Sequence, residues 1–156
     1  MSAVLLDPDQ VFRLASASVL PAWAALMLSP PAARWSATAR RWAGQVWPAV
    51  LSLLYVLLLA AHWRGEGGFG SLADVRTLFS VPGALVAGWV HYLAFDLFVG
   101  GWIAGRAAAR GWPHLLMLPV YALTFLFGPA GLLAYTVMAR LRPSAASTAS
   151  AAGDTR

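Results

Sequence analysis

Residues 81–104 read VPGALVAGWVHYLAFDLFVGGWIA, and this stretch decides the fold. It is long enough to cross a bilayer as a helix, which needs about 20 consecutive apolar residues. Its central part, Gly88–Gly100, contains both His91 and Asp96. Asp96 is the only acidic residue in any apolar segment of the chain. A carboxylate at that depth costs about 2.5–3.5 kcal/mol on insertion scales, so we expect it to be buried, paired or protonated.

The composition is that of a membrane protein of single-domain size. Of the 156 residues, 60% are hydrophobic and only 11% are charged, whereas soluble domains average about 25% charged residues. The net charge of +5 comes from arginine, since there is no lysine. The arginines lie at segment ends, which favours contact with the bilayer surface over nucleic-acid binding. There is no cysteine, which excludes disulfides and thiolate catalysis.

Four apolar segments predict an all-α, polytopic membrane protein built as a bundle of four transmembrane helices. The predicted spans are residues 10–28, 43–63, 81–104 and 115–139, within a membrane domain of residues 1–142. Residues 143–156 are small and polar and predict a disordered C-terminal tail. We expect a multi-pass protein of the bacterial inner membrane.

Two connections between the segments have recognisable features. The first carries Arg34, Arg40 and Arg41, which we expect in a loop at the membrane surface. In the second, Ser71 stands three residues before Asp74, as in a capping box, and predicts a short interfacial helix over Leu72–Leu78.

A helical wheel separates the two ionisable residues of the third segment. At 100° per residue, Asp96 shares a face with Trp89, Tyr92 and Gly100, and His91 lies about 140° away. The His91 face carries the aromatic residues Phe95, Phe98 and Trp102. A regular helix therefore cannot pair His91 with Asp96 directly.

The fourth segment has a complementary stripe of small and hydroxyl-bearing residues. Its members recur at steps of three and four: Tyr121, Thr124, Gly128, Gly131 and Tyr135. Small residues allow close helix approach and hydroxyls bond across helices, so we expect this stripe to pack against the Asp96 face. Tyr92, Tyr121 or Thr124 would then hydrogen-bond the carboxylate. Pro129, beside Gly128, should break or bend the helix.

These residues leave two interpretations open. Asp96 either locks the bundle through hydrogen bonds or serves ligand binding or proton transfer. The aromatic residues either pack the bundle or form a groove for a flat or polyene lipid. The three histidines lie on different segments without ligand spacing, so we predict no bound metal.

Three strings of the sequence resemble a known family. Residues 78–82 (LFSVP), 87–103 (AGWVHYLAFDLFVGGWI) and 123–135 (LTFLFGPAGLLAY) look like conserved blocks of the ABA DEFICIENT four-like family. Pro21-Ala22-Trp23, followed by Pro30, fits its opening segment. The resemblance spans about residues 10–142 and implies a small four-helix membrane protein.

The plant members of that family are required to make neoxanthin from violaxanthin, so the resemblance implies a link to carotenoids. Isomerisation of a carotenoid end group needs a proton donor and acceptor and no redox cofactor, and Asp96 and His91 stand where they would supply them. The expected ligand-binding residues are Trp89, Tyr92, Phe95, Gly100, Trp102, Tyr121, Thr124, Gly128 and Tyr135.

Three functions remain open at this point. The first is an isomerase-type enzyme of carotenoid or isoprenoid metabolism. The second is a non-catalytic carotenoid-binding or scaffold subunit of another membrane enzyme, and the third is a proton-coupled carrier. A homo-oligomer or a complex with another membrane enzyme is compatible with each.

Overall fold

The computed structural model describes residues 7–63 and 67–142, and within these ranges the regular structure is helical. The five helices are α1 (Pro8–Met27), α2 (Ser36–His62), α3 (Leu72–Ser80), α4 (Pro82–Ala109) and α5 (His114–Leu141). The predicted disordered tail, residues 143–156, lies outside the described residues. The predicted all-α class is therefore confirmed for the described part of the chain.

Three helices, α2, α4 and α5, are long and apolar enough to cross a membrane among residues 7–63 and 67–142. The sequence predicted four such helices, and α1 accounts for the difference. It has 20 residues, but Arg13, Ser16 and Ser18 make it less apolar than the others.

The second helix begins earlier than predicted, which corrects the placement of two arginines. It starts at Ser36 and passes through a π-helical turn at Trp42–Val46. Arg40 and Arg41 therefore lie on a helix rather than in a loop. The stretch before Pro48 contains no helix-breaking proline, so the helix extends beyond the apolar segment.

The short helix α3 has the predicted start. The Ser71 hydroxyl accepts a hydrogen bond from the Asp74 backbone N–H at 3.1 Å. This is the N-cap interaction that satisfies an otherwise unpaired amide in the first turn of a helix.

Helix α4 is the centre of the bundle and packs against all four other helices. Its residues Val90, Leu97 and Ile103 are completely buried. The closest approach is to α2, where a Cβ atom on Gly44 would lie 2.6 Å from the Cα atom of Gly101. Because real Cβ atoms do not approach that closely, only glycine permits this crossing.

Helix α5 is broken near its middle, as its Gly128-Pro129 pair predicted. Phe127 has φ −146° and ψ 53°, which is not helical. Pro129 has no N–H and so leaves a gap in the hydrogen-bond ladder.

The outer surface of α2 and α5 is strongly apolar. Large exposed side chains include Val50, Leu53, Val56 and Leu57 on α2, and Leu126, Leu132, Leu133 and Val137 on α5. Apolar surface of this extent on helices long enough to span a bilayer is the pattern of a membrane protein.

Candidate functional site

Asp96 is buried at the interface between α4 and α5. Its exposed fraction is 7%, and its carboxylate touches Gly128, where a Cβ atom would overlap it. The Oδ2 atom is buried and has no hydrogen-bond partner. The predicted burial is confirmed, and an unpartnered buried oxygen leaves this carboxyl group free to bond a ligand or to hold a proton.

Tyr92 connects this buried group to the surface of the bundle. Its hydroxyl donates a hydrogen bond to the Leu126 carbonyl at 3.0 Å, next to the helix break at Phe127. The same hydroxyl lies near the Asp96 carboxylate. Tyr92 therefore contacts the broken segment of α5 and lies near the carboxyl group of α4.

The stripe on α5 packs inward as predicted. Its buried members are Tyr121, Thr124, Gly128, Gly131 and Tyr135. The expected bond from Thr124 to Asp96 is wrong, because the Thr124 hydroxyl donates to the Val120 carbonyl of its own helix at 2.7 Å. Threonine side chains commonly satisfy their hydroxyl in this way within helices.

An apolar cleft of about 670 Å³ lies between α1, α3 and α4 and reaches Tyr92. Its aromatic walls are Phe12, Phe79, Trp89 and Tyr92. The Trp89 ring stacks on Tyr92 at 5.4 Å, and its Nε1–H donates to the Ser16 hydroxyl at 2.9 Å. These contacts set the positions of the Trp89 and Tyr92 rings in the wall of the cleft.

His91 lies on the opposite side of Gly88, in a second cleft of about 280 Å³. Its ring is exposed and lies 4.5 Å from Phe95 and 5.4 Å from Tyr55. Helix α4 is an α-helix throughout this region, so His91 and Asp96 point in different directions, as the helical wheel predicted.

A single aromatic ring separates the two clefts. Phe79 and Gly88 line both, and a Cβ atom on Gly88 would lie 2.7 Å from the Phe79 ring. The Phe79 ring, which is 40% exposed, is therefore the partition that both clefts share.

The remaining predicted residues lie elsewhere and do not join one site. Gly100 is covered by the Trp23 ring, whose nearest atom would be 2.5 Å from a Cβ atom at that position. Trp102 packs edge-on against Tyr135 at 5.5 Å, near the C-terminal end of α4. Tyr121 is buried with its ring 6.0 Å from His114.

Sequence reasoning missed the contributions of α1 and α3 to the cleft. Phe12, Ser16, Val19 and Trp23 recur at steps of four, three and four residues, a spacing that places them on one face of α1. This stripe on α1 was the sequence signal that could have indicated its contribution to the cleft. Nothing comparable marked Phe79, because α3 has only nine residues.

The chemistry available at the site is that of proton exchange and apolar binding. Over residues 7–63 and 67–142, no three histidine or acidic side chains converge in a way that would hold a metal ion. Tyr92 offers a hydroxyl group at the wall of the cleft, and the buried Asp96 carboxyl group lies near that hydroxyl without lining the cleft itself.

Comparison with known proteins agrees with the resemblance in the sequence. No curated protein and no solved structure matches the chain significantly. The model of the family described as ABA DEFICIENT 4-like matches residues 10–135, which include most of α1, the aromatic walls of the clefts and the break in α5. The chain belongs to the ABA DEFICIENT 4-like family.

Proposed function

We propose that this protein binds the end group of a carotenoid or related isoprenoid in the cleft formed by Phe12, Phe79, Trp89 and Tyr92. The observation that carries the proposal is that this apolar cleft ends at Tyr92, directly beside the buried Asp96. Largely apolar walls with a few polar groups, here the Asp9 carboxylate and the Tyr92 hydroxyl, suit an apolar ligand that has a functional group on its ring.

The proposed reaction is an isomerisation of the end group by acid–base catalysis. One group donates a proton to the substrate and another removes a proton from a different atom, so that the composition does not change. Asp96, acting through Tyr92, is the proposed partner on one side of Gly88, and His91 is the proposed partner on the other. A ligand that displaces the Phe79 ring would reach both sides at once.

Helix α1 is the proposed fourth membrane span. Its 20 residues give a length of about 30 Å, which matches the hydrocarbon core of a bilayer. Its buried residues Val11, Ala15, Val19 and Leu26 face the bundle. At its C-terminal end, the Met27 carbonyl oxygen lies within hydrogen-bond distance of the His114 Nε2 atom, at 2.7 Å. With α1 as a span, the protein is proposed to be a multi-pass protein of the bacterial inner membrane.

A second candidate function is a non-catalytic carotenoid-binding or scaffold subunit of another membrane enzyme. The observation that favours it is the position of Asp96, which is packed against Gly128 and does not line either cleft. A carboxyl group in that position packs in the α4–α5 interface whether or not it exchanges protons.

The two candidates are separated by expressing the chain in a carotenoid-producing bacterial host. We would record the absorption spectrum of the purified protein and the chromatographic profile of the extracted pigments. The catalytic proposal expects bound pigment and a new isomer. It also expects Asp96→Asn and Tyr92→Phe to abolish the isomer while pigment binding is retained.

Tyr121→Phe is the matched control, because it removes a hydroxyl from a buried ring that lies near His114 and lines neither cleft. Bound pigment with an unchanged pigment profile would favour the non-catalytic subunit. A purified protein without pigment, in a host whose pigment profile is also unchanged, would refute both candidates.

A further inference from the structure

A cavity with a different chemistry lies at the opposite end of α4. It has a volume of about 510 Å³, and its lining residues include Arg40, Arg41, Arg106 and Gln45. Three arginines line this cavity and no carboxylate does. The cavity therefore has a net positive charge, which favours binding of an anion.

The backbone around this cavity is held in place by two unusual features. The π-helical turn at Trp42–Val46 supplies Gly44 and Gln45 to the wall, and turns of this kind occur frequently at functional sites. The crossing of Gly44 with Gly101 brings the Arg40–Arg41 segment of α2 next to the end of α4. The crossing of α2 and α4 therefore brings the two walls of the cavity together.

Arg106 is also oriented before any ligand binds. Its guanidinium carbon lies 5.0 Å from the centre of the Trp102 ring. Stacking on an aromatic ring holds the planar group in place and leaves its N–H donors available at the edges. A guanidinium group held in this way can donate two parallel hydrogen bonds to two oxygens of one phosphate.

An apolar groove of about 350 Å³ adjoins this cavity toward the middle of the membrane helices. It is lined by Pro48, Ala49, Ala94 and Phe95 and shares Gln45 and Phe98 with the arginine cavity. A cationic end continuous with an apolar groove fits a molecule that has an anionic head and a hydrocarbon tail.

We propose that this is a binding site for the phosphate headgroup of an anionic membrane lipid, with one of its chains in the adjoining groove. Arg106 lies within a turn of the end of α4 at Ala109, which is the depth at which headgroups are found. Basic pockets between membrane helices bind anionic lipid headgroups in this way. A carotenoid has no charged group and would not use the three arginines.

The test is thermal unfolding of the full-length protein, purified in a mild detergent and stripped of lipid. Phosphatidylglycerol and cardiolipin are added separately, with phosphatidylcholine as the zwitterionic comparison and inorganic pyrophosphate as the free-phosphate comparison. We expect the two anionic lipids to raise the Tm and the other two additives to leave it nearly unchanged, because a ligand that binds only the folded state stabilises it.

Variants assign the effect to the cavity. Arg106→Gln and the double variant Arg40→Gln/Arg41→Gln should weaken lipid binding by about fivefold for each arginine removed. The double variant Arg140→Gln/Arg142→Gln is the control, since it removes two charges at the C-terminal end of α5 and neither residue lines the cavity.

Ala49→Trp provides a second, independent variant, because it fills the groove without touching an arginine. It should weaken binding of the anionic lipids as well. The site would be refuted if the Arg140/Arg142 control weakened lipid binding as much as the cavity variants do. It would also be refuted if phosphatidylcholine raised the Tm as much as the anionic lipids do. A pyrophosphate effect as large as that of the lipids would overturn the assignment to a lipid.

Discussion

At the scale of single residues, the pairing of Asp96 with Gly128 determines what the carboxyl group contacts. Any side chain at residue 128 would occupy the space of the carboxylate. The unpartnered Oδ2 atom is a cost to the fold, because a buried polar group without a hydrogen bond destabilises the folded state. Retaining such a group is consistent with a role beyond packing.

The first prediction concerns this contact. Gly128→Ala should lower the stability of the folded protein by about 1–3 kcal/mol, because the added Cβ atom overfills a packed interface. The measurement is the Tm in detergent for the single variants and for Gly128→Ala combined with Asp96→Ala. If the contact is the cause, the double variant recovers part of the loss; simple additivity of the two losses would contradict it.

The second prediction concerns the hydrogen bond between Ser16 and Trp89. Ser16→Ala and Trp89→Phe should show a coupling energy of about 0.6 kcal/mol in a double-mutant cycle, which is the average for hydrogen bonds in membrane proteins. Ser18→Ala is the matched control, because that hydroxyl donates to the Ala15 carbonyl of its own helix. A coupling of zero between Ser16 and Trp89 would show that α1 does not hold the cleft ring by this bond.

At the scale of the helices, the bundle depends on the crossing of α2 and α4. Two glycines meet there backbone to backbone, and the same crossing shapes the arginine cavity. In a membrane, helices associate largely through close van der Waals packing, so small residues at a crossing have a direct effect on stability.

The third prediction tests this crossing. Gly101→Ala should destabilise the protein by about 1–3 kcal/mol and separate the two helices, since its Cβ atom would overlap the backbone at Gly44. Gly105→Ala lies one turn further along α4, lines the same cavity and would meet no atom within 4 Å. Equal Tm values for the two variants would show that the crossing tolerates a side chain.

At the scale of the whole molecule, the features divide along the axis of α4. The aromatic clefts lie toward its N-terminal end, Asp96 lies near its middle, and the arginine cavity lies toward its C-terminal end. If α1 crosses the membrane together with α2, α4 and α5, the clefts and the arginine cavity open toward opposite sides of the bilayer.

The fourth prediction tests that topology. Because the chain has no cysteine, single cysteines introduced at Asp7, Arg34, Asp74, Ala109 and Arg142 can be labelled without background. A membrane-impermeant maleimide should reach Asp7, Asp74 and Arg142 from one side of sealed vesicles and Arg34 and Ala109 from the other.

The labelling experiment has one control and one outcome that would contradict the four-span topology. Permeabilised vesicles are the control, since every site should then react. Labelling of Asp7 from the same side as Arg34 would show that α1 does not span the membrane, and would leave three spans.

Local patterns were sufficient to predict several features of the site. The 100° step per residue separated His91 from Asp96 and placed Gly128 on the face that meets the carboxylate. The Gly128-Pro129 pair predicted the break at Phe127. Each of these follows from residues that are close in sequence, where backbone geometry alone sets the relation.

Features that join distant parts of the chain were decided only by the tertiary structure. Ser16 and Trp89 are separated by 73 positions, and the Phe79 partition, the Gly44–Gly101 crossing and the arginine cavity each join different helices. The composition and the periodicity of the sequence determined that this is an apolar helical protein with one buried carboxyl group. Which surfaces meet depended on how the helices pack, because packing selects among many apolar faces that are nearly equivalent in sequence.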